Sequence, residues 1–163
     1  MQFSKSTSYA LHALIQLAYA ERGHNVGIKE LASSLGVSES YLSKIMSKLR
    51  QDGIVRAVTG VSGGYELARE ADQITFLEAI QVVEGKQHLY DCYNINEQRH
   101  QLFFEGDDVD PDTAIRAPGK ECLVKKIMNG AEQQMHDYLQ KHTIQWVVDM
   151  ALYNNSHGIN KKP

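Results

Sequence analysis

Cysteine, proline and tryptophan are scarce: the 163 residues hold two, three and one of them. Two cysteines cannot build a disulfide scaffold. In a reducing compartment such a pair is redox-active, metal-binding or buried. No apolar run reaches the ~18 residues that a membrane helix needs, so no membrane partner is expected. Residues 1–25 lack a basic start, an apolar stretch and a small-residue cleavage site, and the expectation is a cytoplasmic chain. No phosphate-binding Gly-x-x-x-x-Gly-Lys and no His-Glu-x-x-His occurs, and the chain is not expected to be an enzyme. The formal charge of −3 argues against a generally basic nucleic-acid coat. What is present suits a globular domain: 42% hydrophobic and 23% charged residues, in a length that fits one domain with an appended arm.

The charge is unevenly spread. Residues 1–68 carry seven Lys/Arg and five Asp/Glu, a net of +2, and residues 69–163 carry ten and fifteen, a net of −5. A nucleic-acid partner would therefore meet the N-terminal part. That part reads as helices over about 8–20, 28–35 and 39–51. Ser6, Thr7 and Ser8 offer caps for the first, and Gly23 and Asn25 follow it. Gly36 separates the second helix from the third, Ser38 caps the third, and Gly53 ends it. The period then changes. Residues 54–58 and 65–67 read as strands joined through Gly60, Ser62, Gly63 and Gly64. Thr75 and Glu78 have capping-box spacing before a helix over 76–84. An irregular stretch, 86–118, holds Cys92, two histidines and the acidic run from Glu105 to Asp112. A long helix over about 121–142 follows, striped with Leu123, Val124, Ile127, Met128, Ala131, Met135, Tyr138 and Leu139. Thr143 opens a last helix carrying Trp146, Val147 and Met150.

Two short helices meeting at Gly36, followed directly by a hairpin, form a winged helix-turn-helix pattern, in which the second helix enters the major groove. Its outer face offers Ser40, Ser43, Lys44, Ser47 and Lys48. Serine hydroxyls serve base edges and phosphates, and lysine neutralises phosphate. With Ser38 and Tyr41 at the helix head, Arg50 near its end, and Arg56, Thr59, Ser62 and Gly63 on the hairpin, these are the candidate contacts to double-stranded DNA. A solvated face on an ordinary helical hairpin is the plainer alternative. A winged-helix adaptor that binds protein is another.

The segments Tyr9-Ala10-Leu11, Ile28-Lys29-Glu30-Leu31-Ala32, Ser40-Tyr41-Leu42, Gly63-Gly64-Tyr65-Glu66-Leu67-Ala68-Arg69 and Val83-Glu84-Gly85 stand in an ordered set. Together with Cys122-Leu123 at the head of a long helix, they resemble the Rrf-type family of bacterial winged-helix regulators, the group of IscR, NsrR and CymR. The resemblance covers about residues 1–153. It implies a mainly α fold, a winged helix-turn-helix with a β-hairpin wing and a long C-terminal dimerisation helix. It also implies a homodimer on a near-palindromic operator, with repression the favoured sign. The corresponding divisions are a DNA-binding domain over 1–85, a sensor loop over 86–120, dimerisation helices over 121–153 and a flexible tail over 154–163. Thr59 and Val61 stand where family members often carry Arg and Pro near the wing tip.

The resemblance also suggests an iron–sulfur cluster on three close cysteines, but only Cys92 and Cys122 are present. Lys125 and Lys126 occupy the place of the family's histidine ligand, and Ser8 lies near that of its acidic alternative. Four readings stay open: a cluster with substituted ligands, a metal held by His88, Cys92, His100 and Cys122, a Cys92–Cys122 thiol switch, and two unreactive thiols with regulation through a ligand or partner.

Overall fold

The computed structural model describes residues 2–20, 24–86, 88–93 and 122–156. The chain groups into two compact units, Met1–Lys86 with Tyr138–Pro163, and Gln87–Asp137. In the first lie α1 (Lys5–Tyr19), α2 (Ile28–Leu35), α3 (Glu39–Gln51), β1 (Val55–Val58), β2 (Gly64–Leu67), a single 3-10 turn (Ala71–Gln73), α4 (Phe76–Glu84) and α6 (Ile144–Ser156). The long α5 (Leu123–Lys141) carries the chain from the second unit back into the first.

Each helix of the first unit begins or ends on a residue suited to that place. Ser4 caps α1, its hydroxyl accepting from the Thr7 N–H at 3.4 Å, so the helix starts earlier than the expected Ser6–Ser8 caps. It also ends earlier, at Tyr19, because Ala20 turns extended. Gly36 sits at φ 67°, left-handed, and the Val37 N–H returns to the Ala32 carbonyl at 3.0 Å. That closes α2 with a Schellman turn, which a side chain at Gly36 would strain. Two residues on, the Ser38 hydroxyl accepts from the Tyr41 N–H at 3.3 Å and opens α3. The Thr75 hydroxyl caps α4 by accepting from the Glu78 N–H at 3.2 Å. The other half of the expected capping box is replaced, because the Glu78 carboxylate accepts from Arg69.

β1 and β2 pair antiparallel, with Val55 opposite Leu67 and Arg56 opposite Glu66. A third rung comes from Val26, whose N–H and carbonyl each bond Tyr65 at 2.9 Å. The chain approaches so closely there that a Cβ on Gly64 would stand 2.5 Å from the Val26 carbonyl oxygen. The second glycine of the wing pair is thus required by the sheet itself.

One core joins these elements. Ala10, Ala13, Leu14 and Leu17 of α1 recur at helical spacing and are buried with Leu31 of α2, Leu42, Ile45, Met46 and Leu49 of α3, and Ile54 and Val55. Ile74 and Ala79 join from around α4. Ile144 of α6 enters the same core, its N–H bonding the Ile74 carbonyl at 2.9 Å. The last helix, expected among the dimerisation elements, thus packs on α1.

In the second unit, Cys122 is buried just ahead of α5, and its carbonyl accepts from the Lys126 N–H at 2.8 Å. The expected apolar stripe of α5 is mostly open, with Val124, Ile127, Met128, Ala131 and Tyr138 exposed and Leu123, Met135 and Leu139 half-buried.

Candidate nucleic-acid interface

α3 is pressed into the core by Leu42, Ile45, Met46 and Leu49. Ser40, Ser43, Lys44 and Ser47 lie on the opposite side, Ser40 and Ser47 each three and four residues from Ser43 and Lys44. Ser40 and Lys44 are exposed, and Ser43 and Ser47 are half-buried. Three of the four are serines, so apart from the flexible Lys44 side chain this face is small and lets the helix backbone approach a groove floor. Arg50 is exposed in the last turn of α3.

The structure gives five of the candidate side chains partners within the chain. The Ser38 hydroxyl caps the helix and meets the Ser40 hydroxyl at 3.3 Å. The Tyr41 hydroxyl meets Ser6 Oγ at 2.8 Å, and its ring stands edge-on to Tyr9 with centroids 5.9 Å apart. Lys48, expected on the outer face, donates from Nζ to the Val83 carbonyl at 3.0 Å. Arg56 Nε donates to the Glu66 carboxylate at 2.7 Å, across the hairpin. The register that places Arg56 opposite Glu66 is what pairs them. Arg56 remains two-thirds exposed, so its other N–H groups stay accessible at the wing base.

At the wing tip Thr59, Gly60, Val61 and Ser62 are exposed, while Gly63 is half-buried. A Cβ on Gly63 would meet the Val58 carbonyl oxygen at 2.6 Å, so this glycine serves the turn. The run Gly60-Val61-Ser62-Gly63-Gly64 has Gly-x-Ser-x-Gly spacing but joins two antiparallel strands. A nucleophile elbow joins a strand to a helix, so the spacing carries no catalytic meaning here.

Glu84, which the sequence offers only within the segment Val83-Glu84-Gly85 and not as a site residue, is the acceptor at the start of α1. Its Oε1 takes the Ser4 N–H at 2.7 Å and the Thr7 hydroxyl. The Thr7 hydroxyl first, then Ser4, hold its carboxyl below the ordinary 4.5, with a smaller pull from the Lys48 charge. No local signal marks it, because both donors lie more than seventy residues away.

Candidate sensor residues lie in the second unit. Cys92 is half-buried and Cys122 buried. Tyr90 lies near both: partial burial first, then Cys92 by charge and hydrogen bond, then Cys122, raise its hydroxyl above the ordinary 10.0. His88, one of the expected two-His, two-Cys set, has a partner in α5. Its Nδ1 is 3.4 Å from the buried Glu132 carboxylate, which also accepts from the Leu89 N–H at 3.2 Å. His136 Nε2 stands 3.9 Å from the same oxygen. Glu132 was legible as a carboxylate interrupting an apolar stripe, between Met128 and Met135. His100 and the acidic run from Glu105 to Asp112 lie outside the described residues. Among the described residues no three His, Cys, Asp or Glu side chains converge as metal ligands do.

The family model described as Rrf2, iron-dependent transcriptional regulator, matches residues 3–150. The chain belongs to this family. The NsrR regulator of Bacillus licheniformis is 28% identical over 148 residues, covering 91% of this chain and 92% of its own. The IscR regulator of Cereibacter sphaeroides is 40% identical over 86 residues, which cover 52% of this chain and 56% of that protein. With several such curated relatives, two regulators of Mycobacterium tuberculosis included, the match spans about half of their length. Among solved structures, T. potens IscR superposes with a TM-score of 0.66 at 23% identity, covering 93% of this chain and 88% of that one. CymR of B. subtilis gives 0.64 at 24% identity, with 92% and 98% covered. Homologues and fold are those of transcriptional regulators, not enzymes. No helix among the described residues of this Rrf2-family chain is long and apolar enough to cross a membrane. The family description names iron, yet the described thiols and imidazoles do not form a ligand set for it.

Proposed function

We propose that this Rrf2-family chain is a homodimeric repressor that binds a near-palindromic operator and responds to oxidation through Cys92 and Cys122. The open face of α3 carries the reading: Ser40, Ser43, Lys44 and Ser47 lie opposite four buried anchors, three short hydroxyls around one flexible cation. In the proposed docking this face lies in the major groove, with Arg50 at its end. Thr59 and Ser62 of the wing tip, with Arg56 at its base, lie along the flanking backbone. Such contacts position the protein, and the α3 hydroxyls contribute readout at base edges.

A dimer accounts for the stripe of α5. Val124, Ile127 and Met128 are exposed on a helix whose spacing is that of a packed face. A second copy burying the same stripe would give a two-fold assembly, and two recognition helices one DNA turn apart read a palindrome.

The redox reading is supported by two thiols in one compact unit, Cys92 half-buried and Cys122 buried. A peroxide would oxidise one thiolate to sulfenic acid, releasing water. The other thiol would then condense with it, forming the S–S bond and releasing a second water. The peroxide takes both electrons, and the two sulfurs are oxidised.

Lys44→Ala tests the docking. The expected outcome is weaker binding at every salt concentration, a log–log salt slope shallower by about 0.9, and an unchanged melting temperature. An unchanged affinity across the salt series rejects this docking, and absence of any salt-dependent duplex binding by the parent protein favours a protein-binding adaptor. Peroxide that leaves both the thiol count and operator affinity unchanged rejects the switch.

A further inference from the structure

Tyr41 and Lys48 stand seven residues apart in α3, two turns of helix, and so share one flank between the buried and open faces. Both are tied. The Tyr41 hydroxyl meets Ser6 in the first turn of α1. The Lys48 ammonium donates to the Val83 carbonyl in the last turn of α4. Carbonyls at a helix C-terminus have no partner inside the helix and bear partial negative charge, so a lysine there is favourably placed. The adjoining Glu84 carboxylate adds its own charge and accepts from Ser4 and Thr7 of α1. The result is a closed loop of contacts: α3 to α4 through Lys48, α4 to α1 through Glu84, and α1 back to α3 through Ser6 and Tyr41. Gly85 then ends α4, and the second unit begins two residues later in the chain.

We propose that Lys48 is a positioning residue rather than a phosphate ligand: with Glu84 it forms a clip that fixes the rotation of the recognition helix and so sets sequence selectivity. The proposal rests on the DNA-binding reading above and changes the role given to one of its residues. Lys48 is exposed, and its placement on α3 argues for this role. Lys48 reaches its acceptor along the flank, whereas Lys44, one turn earlier, has its place on the open face. A phosphate-bound lysine releases a counterion, and a lysine committed to a protein carbonyl releases none. The two roles therefore differ in salt dependence even where they cost the same affinity.

The test uses the full chain and two probes: a duplex selected by the wild-type protein from a random pool, and a scrambled duplex of equal length. Lys48→Met keeps the apolar stem and removes the charge. Glu84→Gln keeps the shape and removes the carboxylate. The expected result for Lys48→Met is about tenfold weaker binding to the selected duplex, with scrambled-duplex affinity and both salt slopes unchanged. Glu84→Gln moves selectivity the same way by less, and the double variant is no worse than Lys48→Met, because both remove one clip. Lys44→Ala, measured alongside, supplies the slope change expected of a phosphate contact. A slope shallower by about 0.9 in Lys48→Met, with equal losses on both duplexes, overturns the clip. A lower melting temperature with unchanged selectivity also overturns it, since that is what a purely stabilising contact would give. A wild-type protein that selects no duplex from the pool overturns the DNA-binding reading, whereas either of the two outcomes above, with wild-type selection intact, overturns the clip alone.

Discussion

The winged-helix unit and the helix α5 carry the same three-to-four-residue apolar rhythm, and they treat it differently. In α1, α2 and α3 every residue of the core stripe finds a partner in the chain: Leu14, Leu31 and Leu42 are fully buried. In α5 the corresponding residues are open, with Ile127 72% exposed and Val124 44%. The buried residue of α5 is instead a carboxylate, Glu132, ringed by His88, the Leu89 N–H and His136. A periodic stripe therefore specifies a face but not what covers it. Where the chain supplies the cover, the stripe becomes a core. Where it does not, a second molecule is the economical answer.

The largest effect that follows from this contrast is on stability. Leu42→Ala removes a fully buried side chain between the helices of the winged-helix unit and is expected to cost about 3–5 kcal/mol in urea unfolding. Ile127→Ala on the open stripe is expected to cost the folding of the protomer less than about 0.5 kcal/mol. Equal costs would break the comparison. The next effect is on assembly. Ile127→Asp places a charge on the proposed seam and is expected to shift sedimentation from dimer to monomer, raising the dissociation constant at least about tenfold while the helix content stays. A dimer of unchanged affinity would move the seam elsewhere.

The smallest effect is on pH dependence. Thr7 and Ser4 hold the Glu84 carboxyl below 4.5, so its contribution to stability is fully present above that pH. It is lost as the pH falls through the lowered folded value. Glu84→Gln is expected to flatten that acid limb of the melting curve series and to leave the rest of the profile parallel to wild type. Acid limbs that coincide would remove Glu84 from the clip.

Much of this was legible in the order of residues, and the reasons are local. The bounds of α2, α3 and α4 follow from Gly36, Ser38, Gly53, Thr75 and Gly85, because caps and left-handed turns act within a few residues. The start of α1 was not legible, since Ser4, Ser6, Thr7 and Ser8 all offer a capping hydroxyl and only the fold selects Ser4. Within the site, Ser40, Ser43, Lys44 and Ser47 were legible from helical spacing. Lys48 was read onto the same face, but it lies toward the flank. Its acceptor is Val83, and no pattern within α3 announces a carbonyl thirty-five residues away. Arg56 is legible as a candidate contact at the wing base, and its partner Glu66 follows only once the hairpin register is known.

The sequence alone determined which residues form helices, which face of each is apolar, where the turns fall and to which family the chain belongs. These depend on propensity, caps and periodicity, all of which act over one or two turns. The tertiary structure decided which polar groups are already spent. Lys48, Glu84, Tyr41 and Arg56 look alike on paper as exposed, chemically capable side chains. Their partners come from other elements, and a hydrogen bond reaches about 3 Å, so only the packing of those elements could say which of them remain available to DNA.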